Sequence, residues 1–365
     1  MLPSCHTWDY ARILTYYHSF KKSCVHIYYY MVQVAKPLNL PVVADESKRP
    51  SGVYPKDKAG APLLENRYAI MNFLGEGGIS SVNRAIDRDS GSEVVVKMML
   101  DSPEYRSNSS VQMLFVCEAQ ILAQLSDVKG IVKLLGSGTA DGLPYLVLNY
   151  LGGDELAFLM RSFADSPENL LDIISRSCRR MAEVHRRGVI HRDIKPQNIL
   201  VEVNCDNEWE PTILDFGHSR GPDVFDVYEH VNEAIGTPEY ASPEAILGGR
   251  NLDHRTDIYS MGAILYEALA GEPPFVQGPA STEEQVLIER EKLCQRVLIE
   301  TPKPLSDLVG WIPKELAEIV MKALAKNPGE RFQAMDLLAD AIDSVLPYIS
   351  NKDARTLASP SQISA

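Results

Sequence analysis

His191-Arg192-Asp193-Ile194-Lys195-Pro196-Gln197-Asn198 is followed, 17 residues after Asn198, by Asp215-Phe216-Gly217. Moving a phosphoryl group onto a hydroxyl needs a carboxylate to orient the hydroxyl, a cation on the migrating group and oxygen donors for Mg²⁺. Asp193, Lys195 and the pair Asn198 and Asp215 meet those needs, in that order along the chain. A lone His-Arg-Asp tripeptide would say little. The information lies in what surrounds it.

Upstream, the strand-like run Tyr68-Ala69-Ile70-Met71-Asn72-Phe73 leads into Leu74-Gly75-Glu76-Gly77-Gly78-Ile79-Ser80-Ser81-Val82. Glycines let backbone N–H groups approach phosphates without side-chain obstruction. Alone, such a loop is equally well a plain hairpin turn. Val94-Val95-Val96-Lys97 is an apolar strand ending in a lysine, and burying that ammonium is costly unless an anion meets it. Leu114, Phe115, Ile121, Leu122 and Leu125 recur at helical spacing around Glu118. Tyr145-Leu146-Val147-Leu148-Asn149-Tyr150-Leu151 reads as a buried strand that breaks at Gly152-Gly153. Most apolar residues on such strands are core.

Taken in order, these motifs resemble the eukaryotic-type (Hanks-type) Ser/Thr protein kinases. The runs Asp257-Ile258-Tyr259-Ser260-Met261-Gly262-Ala263-Ile264-Leu265-Tyr266-Glu267 and Asn327-Pro328-Gly329-Glu330-Arg331 resemble the bacterial members. The resemblance implies an α+β bilobal fold, with a small β-rich lobe over residues 67–150 and a larger helical lobe over 151–347. It implies transfer of the γ-phosphoryl of ATP, with Mg²⁺ or alternatively Mn²⁺, to protein Ser/Thr hydroxyls. Asp193, Lys195, Lys97, Glu118 and Thr237 are then the catalytic set, and Asn198 and Asp215 hold the metal. Gly75, Gly77, Val82, Val95, Lys97, Leu148, Asn149, Leu151, Glu155 and Leu200 bind the nucleotide, with Leu148 as gatekeeper. Leu122, Leu134, His191 and Phe216 form an apolar column linking the lobes, so His191 is structural. Asp257 anchors the catalytic loop, and Glu244 pairs with Arg331. Two departures stand out. Ser80 replaces the third glycine of Gly-x-Gly-x-x-Gly-x-Val, with Gly78 as a spare, and Val95 replaces a small alanine, which tightens the adenine pocket.

A pseudokinase, a scaffold acting through its extension, and a small-molecule phosphotransferase are the other readings. No phosphate, metal or base position is missing, which disfavours the first. Ser242-Pro243-Glu244 closes an activation segment that the last class lacks.

The chain has 365 residues, 36 Lys and Arg against 49 Asp and Glu, and a net charge of −13. That balance argues against nucleic acid as a partner. Cys5, Cys24, Cys117, Cys178, Cys205 and Cys294 show no paired spacing and fit reduced thiols in the cytoplasm. No apolar run is long enough to span a membrane, and the chain ends soon after the kinase motifs, so a soluble enzyme is expected. Residues 37–66 read as a linker and 348–365 as a disordered tail. Residues 1–36 form an extension with apolar residues at roughly helical spacing and a basic balance. A membrane surface, the acidic kinase body and a partner are all open as its contact, as is a translation start at Met31. Cys5, His6, His18, Cys24 and His26 match no common zinc spacing.

Arg192 precedes Asp193, and relatives usually neutralise that arginine with a phosphate on the activation loop. Between Arg220 and Gly236 there is no Ser or Thr. Glu233 stands at the usual acceptor position. It is therefore expected to pair with Arg192, with Arg220 as a second basic contact. The alternative is that Glu233 is one more solvated acid beside Asp223, Asp226 and Glu229.

Overall fold

The computed structural model describes residues 63–162, 166–228, 236–248 and 252–350. Its chain order begins with β1 (Leu63–Leu64), β2 (Tyr68–Glu76), β3 (Ser80–Asp87) and β4 (Glu93–Met99). Helices α1 (Pro103–Ser107) and α2 (Ser109–Gln124) follow, then β5 (Leu134–Ala140) and β6 (Leu143–Asn149). All six strands form one antiparallel sheet ordered β1-β2-β3-β4-β6-β5. The second half contains β7 (Asp154–Glu155), α3 (Leu156–Ser162), α4 (Pro167–Arg186), β8 (Ile199–Val203) and β9 (Trp209–Ile213). It ends with α5 (Pro243–Ile246), α6 (Arg255–Ala270), α7 (Glu283–Ile299), α8 (Leu305–Leu308), α9 (Lys314–Ala323) and α10 (Met335–Ser350). Strands β7-β8-β9 form a small antiparallel sheet beneath the first. The result is a two-lobed α+β molecule, as the motifs implied.

Alternation along β4 decides where Lys97 points. Val94, Val96 and Met98 join Leu64, Tyr68, Ile70, Ala85, Tyr145 and Val147 in a small core confined to the sheet. The opposite face carries Val95, Lys97 and Met99, and Met99 belongs to the large core shared with the helical lobe. Strand β6 splits the same way, with Leu146 and Leu148 on the shared side. Leu122 and Phe216 lie in that core, Leu134 packs against it, and the His191 ring meets Phe216 edge-on at 4.7 Å. All four residues expected in the apolar column thus meet the large core that joins the lobes.

Local signals fix the helices. Asn108 caps α2, its Oδ1 accepting the Ser110 N–H at 3.0 Å. Helix α6 is buried nearly all round and stops at Gly271, whose φ of +81° suits the left-handed stop. Gly262 lets α6 and α9 touch, because a Cβ there would sit 2.7 Å from the Ala323 Cβ. Arg331, its side chain fully buried, forks onto Glu244 at 2.6 and 2.7 Å and donates to the carbonyls of Arg255, Ala325 and Lys326.

Two boundaries differ from the sequence reading. Strand β1 falls in residues 37–66, read as linker, since two residues carry no periodicity. Helix α10 runs to Ser350, past the start of the stretch read as tail, because Ile349 still packs into the core. The extension 1–36, with its helical and metal readings, and residues 351–365 lie outside the described residues. Among the described residues, no helix is long and apolar enough to cross a membrane.

Candidate active site

The catalytic loop is held by one buried carboxylate. Asp257, on the first turn of α6, accepts the N–H groups of His191 and Arg192 at 2.9 Å each. His185, at the end of α4, adds its Nε2 at 2.8 Å. Burial pushes the Asp257 carboxyl up, but these hydrogen bonds and neighbouring charges more than offset it and hold it below its ordinary value. Arg192 and Asp215 both take left-handed backbone conformations, φ +68° and +55°, which non-glycine residues adopt at a cost. The His191 ring is spent on structure, with Nε2 meeting the Leu214 carbonyl at 2.9 Å and Nδ1 accepting from Asp193 N–H at 3.3 Å.

Asp193 sits in a ring of donors. Lys195 Nζ reaches its Oδ2 at 2.9 Å and Thr237 Oγ1 at 3.1 Å. Thr237 gives both its hydroxyl and its N–H to Asp193 Oδ1, each at 2.9 Å. This closeness depends on Gly236. Its φ is +89°, and a Cβ there would lie 2.6 Å from the Arg192 carbonyl. Burial raises Asp193, while the charge of Lys195 pulls it down further, so it stays ionised at neutral pH.

Above it, Lys97 bridges two carboxylates, Glu118 on α2 at 2.8 Å and Asp215 at 2.7 Å. Burial would discharge this lysine, but the two acids hold its pKa above the ordinary value. The same contact holds the partly exposed Asp215 far below its ordinary value. Gly217 leaves this bridge room, since a Cβ there would press on Asp215 Oδ1 at 3.3 Å and touch Glu118 Oε2 and Lys97 Nζ at 3.4 and 3.6 Å.

The donor set suits a hard cation. Asn198 donates its Nδ2 to the Asp193 carbonyl at 2.9 Å, which makes Oδ1 the atom available as a ligand. The Asp215 side chain is 39% exposed. Among the described residues there is no cluster of three or more His, Cys, Asp or Glu fit to cage a metal. Two oxygen donors without a cage are what Mg²⁺ accompanied by phosphates and water uses.

The nucleotide-binding candidates converge by strand pairing. Val82 lies opposite Lys97, and Val95 opposite Leu148. Glu155 pairs with Leu200 across β7 and β8. Asn149 fixes the crossing between lobes, with its Oδ1 accepting Lys133 N–H at 2.6 Å and its own N–H donating to the Lys133 carbonyl at 3.0 Å. Leu151 follows in the half-buried connection to β7. Gly75 and Gly77 lie on the β2–β3 hairpin, where Gly77 N–H bonds the Ser80 carbonyl at 2.7 Å and Tyr105 Oη steadies Gly78 from α1. The substituted Ser80 is buried and points its hydroxyl toward the space a Gly77 Cβ would use, 3.3 Å away.

Three groups escaped the sequence reading. His185 completes the Asp257 anchor. His218 is half-buried near Asp193 and Asp215, and desolvation holds its pKa below the ordinary value. Asp226, grouped by sequence with the solvated acids, is the carboxylate on Arg192, at 2.9 and 2.7 Å. Glu233, the expected partner of Arg192, lies outside the described residues. Nothing in a run of acidic residues marks which one will fold inward.

The protein kinase domain family profile matches residues 68–341. Among curated proteins, PknB of Mycolicibacterium smegmatis, a serine/threonine-protein kinase, is 34% identical over 287 residues, covering 76% of this chain and 43% of that protein. A probable serine/threonine-protein kinase of Clostridium perfringens is 32% identical over 280 residues, covering 76% of this chain and 38% of its own length. Serine/threonine-protein kinase PknB of Mycobacterium tuberculosis is 33% identical over 287 residues, with 76% and 43% covered. The matched region thus spans less than half of these relatives. With the profile running through both lobes, this chain belongs to the protein kinase domain family.

Proposed function

We propose that the chain is a Ser/Thr protein kinase that transfers the γ-phosphoryl of Mg·ATP to protein hydroxyls, with its kinase domain at residues 67–347. The observation that carries this is the ring around Asp193, in which Lys195 and Thr237 both lie within 3.1 Å of the carboxylate or of each other. Asp193 orients the Ser or Thr hydroxyl and takes its proton as the oxygen attacks phosphorus. Lys195 offsets charge on the migrating phosphoryl, and the bond to the β-phosphate breaks with its electron pair leaving on ADP. Lys97, fixed by Glu118, holds the α- and β-phosphates. Asp215 and Asn198 would hold Mg²⁺, which when bound would neutralise phosphate charge. The adenine lies among Val82, Val95, Leu148 and Leu200, bonded by the backbone of Asn149 and Leu151. Glu155 reaches the ribose, and the hairpin bearing Gly75 and Gly77 covers the phosphates. Catalysis of this kind is mainly positioning and fixed charge.

Lys195 two residues after Asp193 and the Gly236-Thr237-Pro238-Glu239-Tyr240 loop support hydroxyl acceptors of Ser and Thr over Tyr. ATP as donor and free thiols at Cys117, Cys178 and Cys205 support a cytoplasmic setting. The partners on this reading are protein substrates. The test is ATP-dependent labelling of a Ser/Thr/Tyr peptide library. Label on Ser or Thr, reduced by ~10²-fold or more in Asp193→Asn, is expected. Label on Tyr alone, or none with nucleotide still bound, would overturn the reading.

A further inference from the structure

We propose that the turn at residues 225–228 is a built-in clamp that positions the active site without any added phosphate, with Asp226 as its positioning residue; the inference rests on the kinase reading above. The central contact is a fork. Arg192 Nη1 and Nη2 donate to Asp226 Oδ1 and Oδ2 at 2.9 and 2.7 Å. Their side chains are 2% and 9% exposed. A guanidinium so buried, next to the residue that handles the substrate proton, needs a counter-charge to remain where it is. Burial raises Asp226, but its bonds and charge contact with Arg192 bring it below the ordinary carboxylate range, so the counter-charge is present at neutral pH. Arg220 Nε stands 3.9 Å away on the same carboxylate. Asp226 also accepts the Tyr228 N–H at 3.1 Å, which shapes the turn itself.

The residues on either side reach the other two catalytic elements. The Phe225 carbonyl accepts the Cys117 thiol at 3.2 Å, and Cys117 is the neighbour of Glu118 on α2. Tyr228 Oη meets His218 Nδ1 at 3.0 Å, and the two rings stack with 5.5 Å between centroids at 20°. His218 is three residues beyond Asp215 on the same loop. One short turn therefore binds the catalytic loop through Arg192, α2 through Cys117, and the Mg²⁺-binding loop through His218. Residues 221–235 contain no Ser or Thr, so a kinase of this specificity has nothing there to modify. The carboxylate of Asp226 is part of the chain and always available.

The test uses full-length enzyme treated with phosphatase and shown unmodified by intact mass. It should phosphorylate a Ser/Thr peptide with the kcat it had before treatment. Asp226→Asn should lower kcat by ~10–100-fold, as misplacement of a catalytic group does, with ATP affinity held within about three-fold. Asp226→Glu should recover part of the loss, and Asp223→Asn, an exposed neighbour, should behave as wild type. Because a lone buried arginine could unfold the single variant, Arg192→Gln with Asp226→Asn removes both charges. That double variant should melt near wild type and still show the low kcat. Loss of activity on phosphatase treatment, or wild-type kcat in a folded Asp226→Asn or double variant, would overturn the clamp alone. A wild type inactive both before and after treatment would overturn the kinase reading and the clamp with it.

Discussion

At the scale of single residues, charge placement sets both chemistry and stability. Lys97 neutralises two acids at once, so Lys97→Met should do more than abolish phosphotransfer. It leaves the buried Glu118 without its counter-ion, facing a partly exposed Asp215, and the fold should lose about 3–5 kcal/mol, the usual result of breaking a buried pair. Urea unfolding of the nucleotide-free variant measures this, and unchanged stability would refute the bridging role. Lys326 makes the opposite case. Burial first, and then Arg331, pull its pKa down to about 8, against a raising effect from Glu300. The unfolded chain thus holds this proton more tightly than the folded one. Stability attributable to this site should rise as pH climbs from 8 toward 10.5. Lys326→Met removes that rise, so wild type should gain on the variant across the window, as thermal melts at matched pH will show. The Phe275 ring 4.5 Å from Lys326 Nζ keeps some of the charged form in place below it.

At the scale of elements, the position of α2 matters most, because it carries Glu118 to Lys97. Its N-terminus depends on Asn108. Asn108→Ala should cost about 0.5–2 kcal/mol, with the amides of the first turn of α2 exchanging faster in hydrogen–deuterium measurements. Protection equal to wild type would show that packing of Phe115, Ile121 and Leu122 is enough to hold the helix. The elements also show what a sequence can disclose. Lys97, Glu118, Asp193, Lys195, Asn198, Asp215 and Thr237 were legible because each sits in a short run whose neighbours repeat a chemical requirement. Their convergence follows from strand alternation and from one anchor, Asp257. Asp226 was not legible. It is one acid among Asp223, Glu229 and Glu233, and only the fold of the turn shows which acid meets Arg192. His185 was hidden for a similar reason, as its partner is 72 residues away. Strand β1 was too short to leave a periodic signal.

At the scale of the whole molecule, the two cores are unequal. The large one runs through both lobes, and the small one is enclosed by the six-stranded sheet. Every catalytic candidate lies beyond residue 66, clear in sequence of the extension at residues 1–36. Deletion of that extension should therefore leave ATP affinity and peptide kcat within a few-fold of the full chain. A collapse of activity would show that it docks on a lobe and belongs to the enzyme. The bilobal frame was legible from motif order, while the reach of α10 to Ser350 was not, because its last turn carries no motif. The Asp226–Arg192 fork has one more implication. On this reading the chain has no off-position written into its activation segment, so output scales with how many copies are present and which proteins they meet. Dosage, degradation and co-localisation then take over the work that a reversible mark would otherwise do.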